Sequence, residues 1–190
     1  KEPARRVRDA LLGGELALAD LTTRQLGAYL GKTTSVLYHH FGSLDGFLFA
    51  VSQEGFALLG ERLALALASG GVVEAALCFV RFGLDCPALY HLMFGRAYDW
   101  KALRAAGAFS GPLPGMQLFA AVATQLAAEG AVDAVEDVRI LVAGLHGLVS
   151  FAASGRANVR RLDRTDREVA LQSARSLVAR LTGARKEKRR

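Results

Sequence analysis

The sequence predicts an all-α protein of about nine helices. Apolar residues recur at helical spacing almost throughout, as in Val138, Leu141, Val142, Leu145, Val149 and Ala152, and runs of β-branched residues with period two are missing. An apolar content of 52% over 190 residues is enough to bury a core and marks the chain as globular rather than disordered.

Residues 3–13 open with Pro3, which the first turn of a helix tolerates, and repeat apolar groups at Val7, Ala10 and Leu11. Thr22-Thr23-Arg24-Gln25 reads Thr-x-x-Gln, a capping box that starts a second helix running to Leu30. Gly31 can take the left-handed conformation that ends it. Thr33 then caps a short third helix that Gly42 stops, and Ser43 caps a long fourth, with Asp45 placed to favour the helix dipole. That helix runs to about residue 68 and closes at Ser69-Gly70-Gly71, a hinge. Residues 72–85, 87–94, 114–129, 132–153 and 164–181 read as five further helices.

The formal net charge of +6 is concentrated at one end. Residues 175–190 hold seven basic side chains against Glu187 and account for all of it, so net charge says little about DNA; a frayed, solvated tail over 184–190 is expected. Cys78 and Cys86, eight residues apart on one helix, would lie about 12 Å apart and beyond disulfide reach. They read as core thiols of a reducing compartment. No basic-then-apolar leader opens the chain, and no uninterrupted apolar run nears the roughly 18–20 residues of a membrane span, the densest part being 140–151. The expectation is a cytoplasmic protein with no membrane partner.

A capped helix, a short glycine-containing turn and a second short helix make a helix-turn-helix pattern over residues 22–41, whose second helix enters the major groove of DNA. On that helix Leu37 and Phe41 can face the core with Leu26 and Leu30. Thr33, Thr34, Ser35, Val36, Tyr38, His39 and His40 occupy the remaining surface, as groups that bond phosphates and base edges or touch a thymine methyl. By spacing alone the pattern stays open, because Thr-Thr-Ser also serves as a cap and His39-His40 as a solvated pair.

The stretch "LTTRQLGAYLGKTTSVLYHHFGSLDGFL" resembles the DNA-binding segment of tetracycline-repressor (TetR) family transcriptional regulators, most closely at Leu21-Thr22-Thr23, Leu26, Gly31, Leu37-Tyr38, His40-Phe41 and Phe47-Leu48. The later "CPALYHLMFG" and "LVAGLHGLVSF" resemble effector domains of a group carrying a Trp-His-Gly-like motif on the penultimate helix, so the likeness spans nearly the whole chain. Three positions depart from the family pattern: Lys32 replaces the usual valine, Gly27 the usual alanine, and Leu44 a lysine that commonly contacts phosphate. Lys32 offers a phosphate contact nearby. The resemblance implies that Thr34, Ser35, Val36, Tyr38, His39 and His40 face DNA and that Thr23 and Arg24 add contacts from the preceding helix. Arg24 has the fork that reads guanine, although a surface arginine paired with a carboxylate fits the same letter.

No His-x-x-x-His, Cys-x-x-Cys, Gly-x-Ser-x-Gly or phosphate-loop spacing occurs, and His39 and His40 diverge by about 100° on a helix, which does not suit one metal. No enzyme activity, metal or cofactor is expected. Large flexible and aromatic side chains cluster in the middle of the chain at Phe82, Leu89, Met93, Phe94, Trp100, Phe109, Met116 and Phe119, around the loop "GAFSGPLPG", and suggest a pocket for a small, mostly hydrophobic effector. His146 fits either that ligand or a neighbouring carbonyl. The last two helices carry Leu145, Gly147, Leu148 and Phe151, then Val169, Ser173, Leu177 and Arg180, with small residues that permit close approach. The resemblance implies that they form a four-helix homodimer interface, whereas both could serve the monomer core. The resulting expectation is residues 1–46 as a helix-turn-helix domain, 47–183 as an effector-binding and dimerisation domain, and a ligand-responsive repressor of operator DNA. The rival is an all-helical carrier or interaction protein with a vestigial helix-turn-helix, which Leu44 encourages.

Overall fold

The computed structural model describes residues 2–31, 39–109, 111–159 and 163–187. All regular structure among them is helical, as the periodicity predicts. The elements are α1 (Glu2–Gly13), α2 (Thr23–Leu30), α3 (Leu44–Asp85), α4 (Pro87–Tyr90), α5 (Trp100–Ala105), α6 (Pro114–Ala128), α7 (Ala134–Ala153) and α8 (Asp166–Glu187). A 3-10 turn at Leu18–Asp20 and a π-helical turn at His91–Gly95 join them.

The helix starts follow local chemistry. Ser43 Oγ accepts from the Gly46 amide (2.9 Å) at α3, Asp99 Oδ1 from the Ala102 amide (2.9 Å) at α5, and Asp133 Oδ1 from the Glu136 amide (3.0 Å) at α7. Each satisfies a backbone donor that the first turn cannot. Inside α3 the backbone leaves helical geometry at Gly70 and at Gly71, where φ is 64° and ψ −154°, so the hinge expected at Ser69-Gly70-Gly71 is a kink in one long element.

The chain gathers into two compact units. The first comprises Lys1–Leu58 and Ala88–Gly115, the second Leu59–Pro87 and Met116–Arg190. The first buries Val7, Leu26, Phe47, Leu48, Val51, Leu89, Leu92 and Leu103. The second buries Leu59, Leu77, Val80, Phe82, Leu126, Val138, Ala170, Ala174 and Val178. In the second unit α7 and α8 lie together, and a Cβ on Gly144 would come within 2.5 Å of Leu177 Cδ2, the far end of a flexible side chain. Arg167 at the start of α8 holds the Asp85 carboxylate with its two terminal guanidinium nitrogens (2.5 and 3.4 Å).

The last helix, α8, runs to Glu187. Two expectations need correction. Residues 87–94 form one α-turn followed by a wider π-turn, and α5 was not expected because six residues are too few to show a period. Finally, α3 is long and apolar enough to cross a membrane by length and composition, with an 18-residue window of mean hydropathy 2.1 that is 44% buried. Counting uninterrupted apolar runs overlooked it, since isolated polar residues break a run without lowering the average much. Buried side chains of both units come from this helix, as expected of a core helix.

Gly46 distinguishes a required glycine from an incidental one. A Cβ there would overlap the backbone carbonyl oxygen of Phe41, whereas at Gly60, on the same helix, it would meet nothing. Gly46→Ala is expected to destabilise the chain by about 1–3 kcal/mol and Gly60→Ala to stabilise it by about 0.5–1 kcal/mol, both read from urea unfolding. Equal effects at the two sites would contradict the close approach.

Candidate functional site

The expected helix-turn-helix begins as its letters require. Thr22, extended at φ −103°, accepts the Gln25 amide on its hydroxyl (3.3 Å), and Gly31 closes α2 in the left-handed region at φ 61°, ψ 32°. The reciprocal half of the capping box is absent. Gln25 Oε1 accepts from the Thr22 hydroxyl (2.8 Å) and its Nε2 donates to Asp20 Oδ1 (3.1 Å), because the 3-10 turn brings that carboxylate within reach. On α2, Thr23 is half-buried, while Arg24 is exposed and forms no ion pair among the described residues. Lys32, Thr33, Thr34, Ser35, Val36 and Tyr38 lie outside the described residues. His39 and His40 are exposed with their rings edge to face at 5.4 Å, and Phe41 turns the other way to meet Phe47 at 4.9 Å. Imidazoles out and phenyl in is the division that the expected helix face requires.

Behind this segment is an arrangement that sequence reasoning missed. Arg96 NH2 lies 2.6 Å from Asp45 Oδ1, and its guanidinium sits over the Tyr98 ring at 5.7 Å. The Tyr98 hydroxyl donates to Leu92 O (3.1 Å), with Leu48 O at 3.4 Å. The sequence gives Asp45 a role at the helix dipole and does not pair it with Arg96, 51 residues further on. Burial is the main cause that pushes the Tyr98 phenol up to about 12 from its ordinary 10, with Ser52 and Arg96 pulling it back.

The expected effector residues divide between the units. Leu89, Met93, Phe94, Trp100 and Phe109 belong to the first, and Phe82, Met116, Phe119 and His146 to the second. In the first unit they pack ring on ring: Phe49 meets Trp100 (5.9 Å) and Phe109 (5.5 Å), and Phe94 meets Phe56 (5.1 Å) and Tyr90 (4.7 Å). Phe82 and Leu89 are fully buried, Met93 is buried, and Phe119 and His146 are half-buried. Trp100 and Met116 are 56% and 69% exposed, more than residues lining an enclosed apolar cavity would be.

Of the expected interface residues, Leu145 is only 3% exposed. It is already covered within the chain and leaves no surface for a partner, because it shares the inward face of α7 with Val138, Leu141 and Val149. Gly147, Leu148, Val169, Ser173 and Leu177 are half-buried and Phe151 and Arg180 exposed. At Gly147 the space a Cβ would take is open.

Residues 72–181, more than half of the chain, match the family described as "Tetracyclin repressor-like, C-terminal domain". The chain belongs to the tetracycline-repressor-like family. No curated protein matches it. Among solved structures it is similar to the candidate regulatory protein SCO4313 (16% identity, 90% of this chain and 96% of that one, TM-score 0.60). It is also similar to a protein with unknown function from Rhodococcus sp. RHA1 (23%, 90% and 92%, TM-score 0.59) and to the superantigen PfiT (20%, 91% and 92%, TM-score 0.53). At these identities the likeness is one of fold alone, over about nine-tenths of the chain.

The buried phenol gives this TetR-like chain a defined pH response. The folded state keeps the Tyr98 proton beyond pH 10, so its contribution is full below pH 10 and is lost as the pH climbs towards about 12. The stability difference between the parent chain and Tyr98→Phe should therefore fall between pH 8 and pH 11, in urea midpoints at the two values. A constant difference would show that the phenol titrates at its ordinary value when folded.

Proposed function

We propose that this TetR-like chain is a DNA-binding transcriptional regulator, a homodimeric repressor released from operator DNA by a small, mostly hydrophobic effector in the cytoplasm. The observation that carries the reading is α2, a capped two-turn helix ending at a left-handed glycine, with Arg24 exposed and unpaired among the described residues, on a chain whose residues 72–181 belong to a family of such regulators. In this reading Thr23 and Arg24 approach DNA from α2, and the helix after Gly31 reads bases through Thr34, Ser35, Tyr38 and His39, with Lys32, Thr33, Val36 and His40 beside them. Lys32 supplies the phosphate contact that Leu44 cannot. Residues 1–46 act as the DNA-binding domain and the rest senses and dimerises. The Trp-His-Gly grouping rests on the likeness of "CPALYHLMFG" and "LVAGLHGLVSF".

Effector binding and DNA binding are linked: a ligand held more tightly by a dimer whose two recognition helices miss successive major grooves must weaken the operator complex by the same factor. Within the second unit, Phe82, Met116, Phe119 and His146 are the side chains offered to that ligand.

DNA binding is tested by titrating DNA from upstream of the chain's own gene at several salt concentrations. A specific complex should form whose affinity falls linearly on a logarithmic salt scale, and Arg24→Ala should weaken it by about 1–3 kcal/mol if the guanidinium reads a base. A chain with no specific complex at any ionic strength is a carrier, not a regulator.

The dimer has its own test. Gly147→Glu places a charge where the protomer leaves open space, so it should not disturb the fold, yet it would bury an unpaired ion in a two-fold interface. The variant should sediment as a folded monomer and the parent chain as a dimer at micromolar concentration. A monomeric parent chain ends the dimer reading.

A further inference from the structure

We propose that α5 extends the DNA-contacting surface, holding the phosphate backbone beside the recognition segment through Lys101 and Arg104. The inference rests on the DNA-binding reading above and adds to it a helix far outside residues 1–46. Lys101 and Arg104 are the only charged side chains in residues 100–128, both are cations, and both stand on this one short helix. Packing within the first unit places them. Leu103 is 2% exposed and anchors α5, while Lys101, Ala102, Arg104 and Ala105 around it are exposed. Leu103 and residues 106–108 line one depression with residues 39–42 and with Ala4 of α1. The approach is close, since a Cβ on Gly42 would lie 3.7 Å from that of Ala106, two residues beyond Arg104. Thus α5 flanks the far end of the segment expected to read bases, where a helix leaving the major groove passes the sugar-phosphate backbone.

The charges around that end suit a polyanion. The first turn of α3, on the other side of Gly42, offers no cation: it carries Leu44 and Asp45, and Asp45 is taken by Arg96 (2.6 Å). Glu54, on the wall of the same depression, is neutralised by Arg5 (3.0 Å) and Arg8 (3.7 Å). Asp99 turns one carboxylate oxygen to the Ala102 amide (2.9 Å) as the cap of α5. Lys101 and Arg104, by contrast, form no ion pair among the described residues. The Arg104 guanidinium lies over the Phe109 ring at 5.7 Å, a contact with the ring face that leaves its N–H donors free in the plane. A guanidinium and an ammonium placed there bond phosphate oxygens of any sequence, so they add affinity and register without choosing bases.

The test is fluorescence-anisotropy titration of the full chain, over a series of salt concentrations, with DNA from upstream of its own gene and with a duplex of scrambled sequence. Lys101→Gln/Arg104→Gln removes both charges while keeping long, helix-forming side chains. It should lower the slope of log affinity against log salt by about 2 and weaken both duplexes by a common factor of about ten. Lys101→Gln alone, with a slope change of about 1, serves should the double variant fail to fold. Arg104→Lys keeps the charge and should keep the parent slope. Arg175→Gln, the same loss of charge at an exposed position of α8 in the second unit, should also leave the slope at the parent value. A parent chain that binds neither duplex overturns this proposal together with the regulator reading. A parent chain that binds DNA overturns this proposal alone if the double variant keeps its slope, if Arg175→Gln lowers the slope as much per charge, or if only the upstream duplex is weakened, as a displaced recognition segment would do.

Discussion

The segment between Phe41 and Gly46 constrains the first unit more than any other. At Gly46 there is no room for a side chain beside the Phe41 carbonyl, so the start of α3 and the end of the expected recognition segment lie closer than any other residue would allow. Three further contacts hold the same turn: the Ser43 cap, the Phe41–Phe47 ring pair and the Asp45–Arg96 ion pair. Typical magnitudes rank them. A cap contributes about 1 kcal/mol, an aromatic pair about 0.5–1.5 kcal/mol beyond its buried area, and an ion pair exposed by a third or more usually under about 1 kcal/mol. None dominates, so position comes from the steric limit at Gly46 and the weaker contacts choose orientation within it.

That constraint explains how the chain presents polar groups without burying them. With Phe41 anchored inward, the preceding His39 and His40 are turned out. On α2 the Thr22 cap and Gly31 do the same for Arg24, leaving the guanidinium in water with Leu26 and Leu30 in the core. On α2 one face therefore goes to the core and the other to solvent.

What the sequence revealed was mostly local. Thr22, Gly31, Ser43 and the Gly70-Gly71 kink are legible because a cap or a left-handed glycine acts on neighbours three or four residues away, and the family likeness was legible in "LTTRQLGAYLGKTTSVLYHHFG". What it concealed was set by distance along the chain or by packing. Asp45 and Arg96 are 51 residues apart, and Gln25 turned to Asp20 only because an unforeseen 3-10 turn put the carboxylate there. Periodicity marks Leu145 as apolar but does not say whether its own chain or a second one covers it. The aromatic abundance that suggested a cavity is in part ring-on-ring packing around Phe49 and Phe94, which composition cannot separate from a pocket.

The central claim is a two-fold dimer that sets two recognition helices into successive major grooves. Hydroxyl-radical footprinting of the protein on DNA from its own upstream region tests it directly. The account predicts two protected half-sites, related by a dyad and centred about 10–10.5 base pairs or a multiple of that apart, on one face of the duplex. A single protected patch without a dyad, or no protection at salt concentrations where the protein is dimeric, would contradict it.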